Sequence, residues 1–211
     1  MSRLLVWARE HRQRLLDVYL FCNFAGWGLW QLHGYLLRGE LGFVEASFTT
    51  QSLLIAGVFL LRRPHRGLES SPLRQGVALL AFLSGAGFMG QPATAGPGLL
   101  AICRGIILAA NLLGIGALLS LGRSFGVLIA WRGLASRGLY SVVRHPMYGA
   151  DILLRAGFTL SHLSPFTIAL FAASAGLYIW RALLEERFLS REPEYRAYVA
   201  RVRRMFIPFV V

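Results

Sequence analysis

The chain contains no lysine. Its 211 residues carry 22 basic and 10 acidic side chains, so every cation outside the five histidines is an arginine and the formal net charge is +12. Cysteine occurs only twice, at positions 22 and 103, which excludes a disulfide framework and a thiolate metal cluster. Both cysteines fall in apolar runs and read as small buried apolar side chains. The histidines are scattered, so no metal site is expected. No Walker loop and no GxSxG elbow is present, which argues against an ATPase and a serine hydrolase. Charged residues make up only 15% of the chain, whereas 55% is hydrophobic and the mean hydropathy is +0.54. A soluble domain does not carry that balance; a polytopic membrane protein does.

Long apolar runs dominate what remains. Six stretches, about 17–37, 42–61, 75–91, 98–121, 148–162 and 165–184, approach the ~20 residues needed to cross a bilayer. The third and fifth are short. Pro165 suits the first turn of the last one, leaving a tight hairpin around Ser161-His162-Leu163-Ser164. The expected fold is therefore all-α, with about six transmembrane helices. No cleavable leader is visible, because the first apolar run is long and lacks a small-residue cleavage site.

The arginines are not spread evenly. They cluster in residues 1–14, 62–74, 122–147 and 187–204, whereas the alternate loops near 38–45, 91–98 and 161–164 hold only Arg38. The positive-inside rule places both termini and the 122–147 loop in the cytoplasm and makes nucleic acid an unneeded explanation for the charge. The absence of lysine suggests a GC-rich genome, and a bacterial inner membrane is the expected location. Residues 194–206 place Tyr195, Tyr198, Val199, Val202 and Phe206 at helical spacing among arginines. This predicts an amphipathic C-terminal helix on the cytoplasmic face, serving either as an anchor or as a cover for a site.

Two clusters carry candidate chemistry. Arg144-His145-Pro146-Met147-Tyr148-Gly149 puts an arginine and a histidine at the start of a helix, where exposed amides favour a carboxylate or phosphate. Glu185-Glu186 ends the last apolar run, one turn after Arg181. Adjacent helical positions point about 100° apart, so one carboxylate can pair with an arginine while the other faces a pocket. Carboxylates suit ribose hydroxyls, an ammonium group or general-base work. Tyr140 and Tyr148 flank the basic block and suit either a pocket for a cation or the membrane interface. Asp151 and Arg155 lie one turn apart inside the fifth run, as a functional group or as a structural ion pair.

Taken together, Leu121-Gly122-Arg123-Ser124-Phe125-Gly126, Gly138-Leu139-Tyr140, the block from Arg144 to Gly149, Glu185-Glu186-Arg187-Phe188-Leu189 and the run from Tyr195-Arg196-Ala197-Tyr198 to Pro208 resemble isoprenylcysteine carboxyl methyltransferases. The wider grouping includes membrane phospholipid N-methyltransferases. The similarity spans roughly 111–208, whereas residues 1–98 carry none. Residues 99–211 are thus expected to form a methyltransferase core, behind N-terminal helices of unassigned role.

The resemblance implies S-adenosylmethionine bound between the last two spans and the tail, with a lipophilic acceptor entering from the bilayer. Carried over, His145, Tyr148, Gly149, Glu185 and Glu186 hold the cofactor, with Tyr140 and Arg144 adjacent. Arg181 matches an arginine near the reacting groups, and Arg181 and Glu185 are the candidate catalytic pair. In one respect the chain departs from the eukaryotic prenylcysteine enzymes: its stretch from Asn111 to Leu121 lacks their carboxylate-meeting arginine. Gly114-Ile115-Gly116 is similar to a glycine motif of phospholipid methyltransferases. The rival expectations are an NADPH-dependent membrane reductase of related fold and a non-catalytic membrane protein.

Overall fold

The computed structural model describes residues 12–89, 91 and 93–206. Seven α-helices and one two-residue strand pair occur among them. The chain divides into two compact units, one up to Pro64 and one from His65 onward.

The first unit is a helical hairpin of α1 (Arg12–Arg38) and α2 (Phe43–Leu61). Its turn follows from Gly39, whose φ of 63° lies in the left-handed region that glycine adopts without strain. The amides of Gly39 and Glu40 then return to the carbonyls of Leu36 and Tyr35, closing the last turn of α1 as a Schellman cap. The seam is stitched by Gln31 against Ser52, by Phe24 against Phe59, and by an ion pair of Arg62 with Asp17. Cys22 lies off this seam and is exposed, contrary to the expectation that both cysteines are buried; Cys103 is buried.

In the second unit, α3 (Pro72–Leu83) continues as a 3-10 turn to Phe88. Then come α4 (Pro97–Leu121), α5 (Pro146–Ser161), α6 (Pro165–Leu189) and α7 (Pro193–Arg201). Each of these helices has proline in its first turn, where the missing N–H costs nothing. Ser164 and Thr167 form a reciprocal capping box at the start of α6. Helices α4 and α5 approach closely at Gly157, where a Cβ would lie 2.8 Å from Ile107. A short antiparallel pair, β1 (Gly67–Leu68) with β2 (Ala130–Trp131), ties the segment before α3 to the long loop after α4.

Helices Phe43–Leu61 and Pro165–Leu189, and the stretch Pro97–Ser124, are long and apolar enough to cross a membrane, so this is an integral membrane protein. The other three expected spans are helical but fall short. Helix α5 has 16 residues, about 24 Å at 1.5 Å per residue, against a hydrocarbon thickness of about 30 Å. Helix α3 stops after 12 residues. Helix α1 is long but interrupted by Asp17, Asn23, Gln31 and His33.

The tail also differs from expectation. Its helix ends at Arg201, and residues 202–206 are not helical. The apolar face of α7 is already covered: Tyr195, Tyr198 and Val202 pack into a core with Val77, Ile129, Trp131, Leu184 and Phe188. Tyrosine and arginine at helical spacing built this helix, but its partner is the protein's own loop and α6.

Candidate functional site

Helix α5 begins at Pro146, and the residue before a proline is driven out of the helical region. His145 accordingly has φ −127° and ψ 56°. The chain at Arg144 and His145 is therefore free to pair with another strand, and the tail supplies it. The Arg144 amide donates to the Arg204 carbonyl at 2.9 Å, and the His145 amide to Met205 at 2.8 Å. Arg144 Nη1 adds bonds to the carbonyls of Val202 and Arg203, at 3.0 and 2.5 Å. These bonds spend the tail's carbonyls outside a helix, which accounts for the end of α7 at Arg201.

The same arginine reaches α6. Its Nε donates to Glu186 Oε1 at 2.6 Å and its Nη2 to Oε2 at 3.3 Å, a two-pronged contact. His145 Nε2 donates to Glu186 Oε1 at 3.1 Å. The neighbouring carboxylate turns elsewhere: Glu185 Oε2 accepts from the Tyr148 hydroxyl at 2.5 Å. The two adjacent carboxylates thus take different partners: the arginine is Arg144 of the loop and not Arg181 one turn away, and Glu185 meets a tyrosine hydroxyl. The His145 and Tyr148 rings stack with centroids 5.3 Å apart and planes 12° apart. Gly149 lies beneath the tail, where a Cβ would meet the Phe206 carbonyl at 3.4 Å.

Arg181 is buried and sits 4.9 Å over the Tyr148 ring. It does not spend its hydrogen bonds on Glu185, one turn away. Its Nη1 donates to the Ala78 carbonyl at 3.0 Å, and its Nη2 to Val127 at 2.7 Å. Its Nε makes no hydrogen bond. The loop that carries Val127 is tied down two residues on, at Ile129, by a side chain that sequence reasoning passed over. Gln75 Nε2 donates to the carbonyls of Glu69 and Ile129, and Gln75 Oε1 accepts from the Ile129 amide, all at 3.0 Å.

Tyr140 comes to the site through its backbone, whose carbonyl accepts the Tyr198 hydroxyl at 2.6 Å. Burial pushes both phenols up, Tyr198 to about 12 and Tyr140 beyond it, so both remain neutral hydroxyls at physiological pH. Glu185's charge reinforces the rise at Tyr140, and Glu186's does so at Tyr198. Arg144, His145, Tyr148, Glu185 and Glu186 thus meet at one end of α5 and α6, Arg181 lies over the Tyr148 ring, and Tyr140 is bonded to Tyr198 of α7. Gln75 and Tyr178 were not visible from local pattern, because their partners lie far away in the chain.

Residues 95–195 match the family model for phospholipid methyltransferases. The match runs from the approach to α4 into α7 and contains all eight candidate residues. Over that stretch the chain is similar to the membrane methyltransferases, a grouping that includes the phospholipid and isoprenylcysteine enzymes. No curated protein matches the chain.

Proposed function

From the phospholipid methyltransferase domain as premise, we propose that the protein is an integral membrane methyltransferase that uses S-adenosylmethionine to methylate a small lipophilic acceptor. The observation that carries this reading is the convergence of Arg144, His145 and Glu186 beside Tyr148 and Glu185. The donor set fits the cofactor. Carboxylates suit its ribose hydroxyls and ammonium group, arginine suits its carboxylate, and aromatic faces suit its sulfonium. The buried Arg181 Nε adds a donor that the protein itself leaves unused.

S-adenosylmethionine supplies a methyl group on sulfonium, open to in-line displacement by an acceptor lone pair. The protein's work is then positioning and exclusion of water. Glu186 and Arg144 bind, and each orients the other. Residues 202–206 cover that pair. Tyr148 presents a neutral ring between His145 and Arg181 and directs its hydroxyl to Glu185. Where the acceptor is an amine or hydroxyl, Glu185 is the group placed to take its proton; a carboxylate or thiolate needs none.

The phospholipid family model favours a second reading, in which the acceptor is the amine of a phospholipid headgroup. Calorimetric titration of detergent-purified protein with S-adenosylhomocysteine tests the proposal itself. Saturable binding that is lost in Glu186→Ala and His145→Ala supports it. Unchanged binding in both folded variants refutes the site. A radiolabelled methyl-transfer screen of prenylcysteines, phospholipids and quinols then identifies the acceptor.

A further inference from the structure

The polar residues of α5 and α6 do not stop at the cofactor site. Tyr148, Asp151 and Arg155 follow one another at i, i+3 and i+7 on α5, and Tyr178, Arg181 and Glu185 do the same on α6. Each set forms one stripe on its helix. The stripes meet: the Tyr148 and Tyr178 rings are 5.4 Å apart, and the Arg155 guanidinium lies 4.6 Å over Tyr178. This ladder carries polar chemistry from the Glu185 end toward the middle of the helices. Its inner rung, formed by Asp151, Arg155, Tyr178 and Ser84, has no part in the contacts proposed above for the cofactor.

The inner rung is incompletely bonded. Arg155 is buried, with 5% of its surface exposed, and its Nε makes no hydrogen bond. Its Nη2 reaches Ser84 Oγ and Tyr178 Oη only at 3.4 Å each. Its Nη1 takes the Asp151 carbonyl at 3.1 Å and stands 3.8 Å from that residue's carboxylate. Two other arginines of this protein show what a closed pair looks like: Arg62 Nε meets Asp17, and Arg144 Nε meets Glu186, both at 2.6 Å. Burying a guanidinium is costly unless its donors are used. At Arg155 the spare donor faces the cost without the bond. Asp151 is the partly open member, with 27% of its side chain exposed.

We propose that Asp151, Arg155, Tyr178 and Ser84 form a subsite for the hydroxyl group of a neutral lipophile. A hydroxyl both accepts and donates, so it takes the Arg155 Nε–H and gives its own proton to an Asp151 oxygen. The charges of the rung sum to zero, one cation against one anion, as do those of Arg181 and Glu185 on the next rung. An added carboxylate or ammonium would meet repulsion from one member and leave a net charge in a low-dielectric interior. A hydroxyl adds hydrogen bonds and no charge. As the acceptor end of the ladder this subsite rests on the methyltransferase reading; as a hydroxyl site it stands alone.

The test uses full-length protein in lipid nanodiscs and four probes of equal chain length: 4-nonylphenol, nonylbenzene, nonanoate and nonylamine. Their affinities are read by microscale thermophoresis, alongside titration with S-adenosylhomocysteine. Nonylphenol is expected to bind about tenfold or more tighter than nonylbenzene, the worth of one or two charge-assisted hydrogen bonds. Arg155→Met and the gentler Asp151→Asn each collapse that preference and leave S-adenosylhomocysteine binding intact. Equal binding of nonylphenol and nonylbenzene overturns the subsite, as does a preference for nonanoate or nonylamine, or a phenol preference that survives both substitutions. If both variants lose S-adenosylhomocysteine binding with the preference, the rung is structural and the proposal fails. Phenol preference in a wild-type protein that does not bind S-adenosylhomocysteine keeps the subsite and overturns the methyltransferase reading. The reverse result overturns the subsite alone.

Discussion

The N-terminal hairpin and the site at the end of α6 each hold a buried arginine against a carboxylate, yet the two pairs are built differently. Arg62 has 4% of its side chain exposed, meets Asp17 and rests over the Phe59 ring. Among the described residues, its bonds tie α1 to the end of α2 and reach no further. Glu186 takes two nitrogens from Arg144 and one from His145, and Arg144 goes on to hold two carbonyls of the tail. The first pair fastens one helix to another. The second is a junction of α5, α6 and the tail, 18% exposed at Glu186, where a ligand can compete for the same bonds. The number of partners and their openness separate a fastener from a site, because the attraction between the charges is the same.

Breaking the junction is expected to have the largest effect. Glu186→Ala leaves Arg144 buried without its anion, a loss of about 3 kcal/mol or more in stability, and abolishes S-adenosylhomocysteine binding. Thermal unfolding and calorimetry read the two losses separately. Asp17→Ala strands Arg62 and costs a similar order of stability, about 3 kcal/mol. It is expected to leave S-adenosylhomocysteine affinity unchanged. A matching loss of affinity would erase the distinction between fastener and site.

Smaller changes sharpen the contrast. Tyr148→Phe keeps the ring between His145 and Arg181 but removes the bond to Glu185, worth about 1.5–3 kcal/mol because the acceptor is charged. Weaker binding of S-adenosylhomocysteine with the helix content preserved is the expected outcome in circular dichroism and titration. The smallest effect concerns Glu69, beside α3. The Ser71 amide, followed by Arg74, holds its carboxyl below the ordinary range even though burial opposes this. Its folded pKa is the lower one, so its contribution is complete above the unfolded value of about 4.3 and is lost as pH falls through the folded value. Glu69→Gln should lower stability near neutrality, where the contribution is complete, and flatten the profile over that acid window. Denaturation midpoints across the window decide it.

Much of this was legible in advance because it is local. Proline after His145 and after Ser164 marks two helix starts, since a ring that lacks an N–H fits only the first turn. An arginine-histidine pair at one helix start and two carboxylates near the other helix's end fall toward the same end of an antiparallel hairpin. Period and composition also announced apolar helices, three of them long and apolar enough to cross a bilayer. Periodicity misjudged α7, however, because a helical pattern in 194–206 says nothing of the competing bonds that Arg144 makes with Val202 and Arg203.

The residue order therefore dictated the helices, their polarity and the chemical types gathered at their ends, all of which follow from neighbours within a turn or two. Folding in three dimensions settled which partner each charged group received. Arg181 found the carbonyls of Ala78 and Val127 in preference to the carboxylate on its own helix, because Gln75 holds the loop in reach. Arg155 found Tyr178 and Ser84 and kept a donor to spare. Such choices depend on groups separated by 23 to 103 positions in the chain. Only packing brings those groups within hydrogen-bond range, and the short reach of the bond then selects among them.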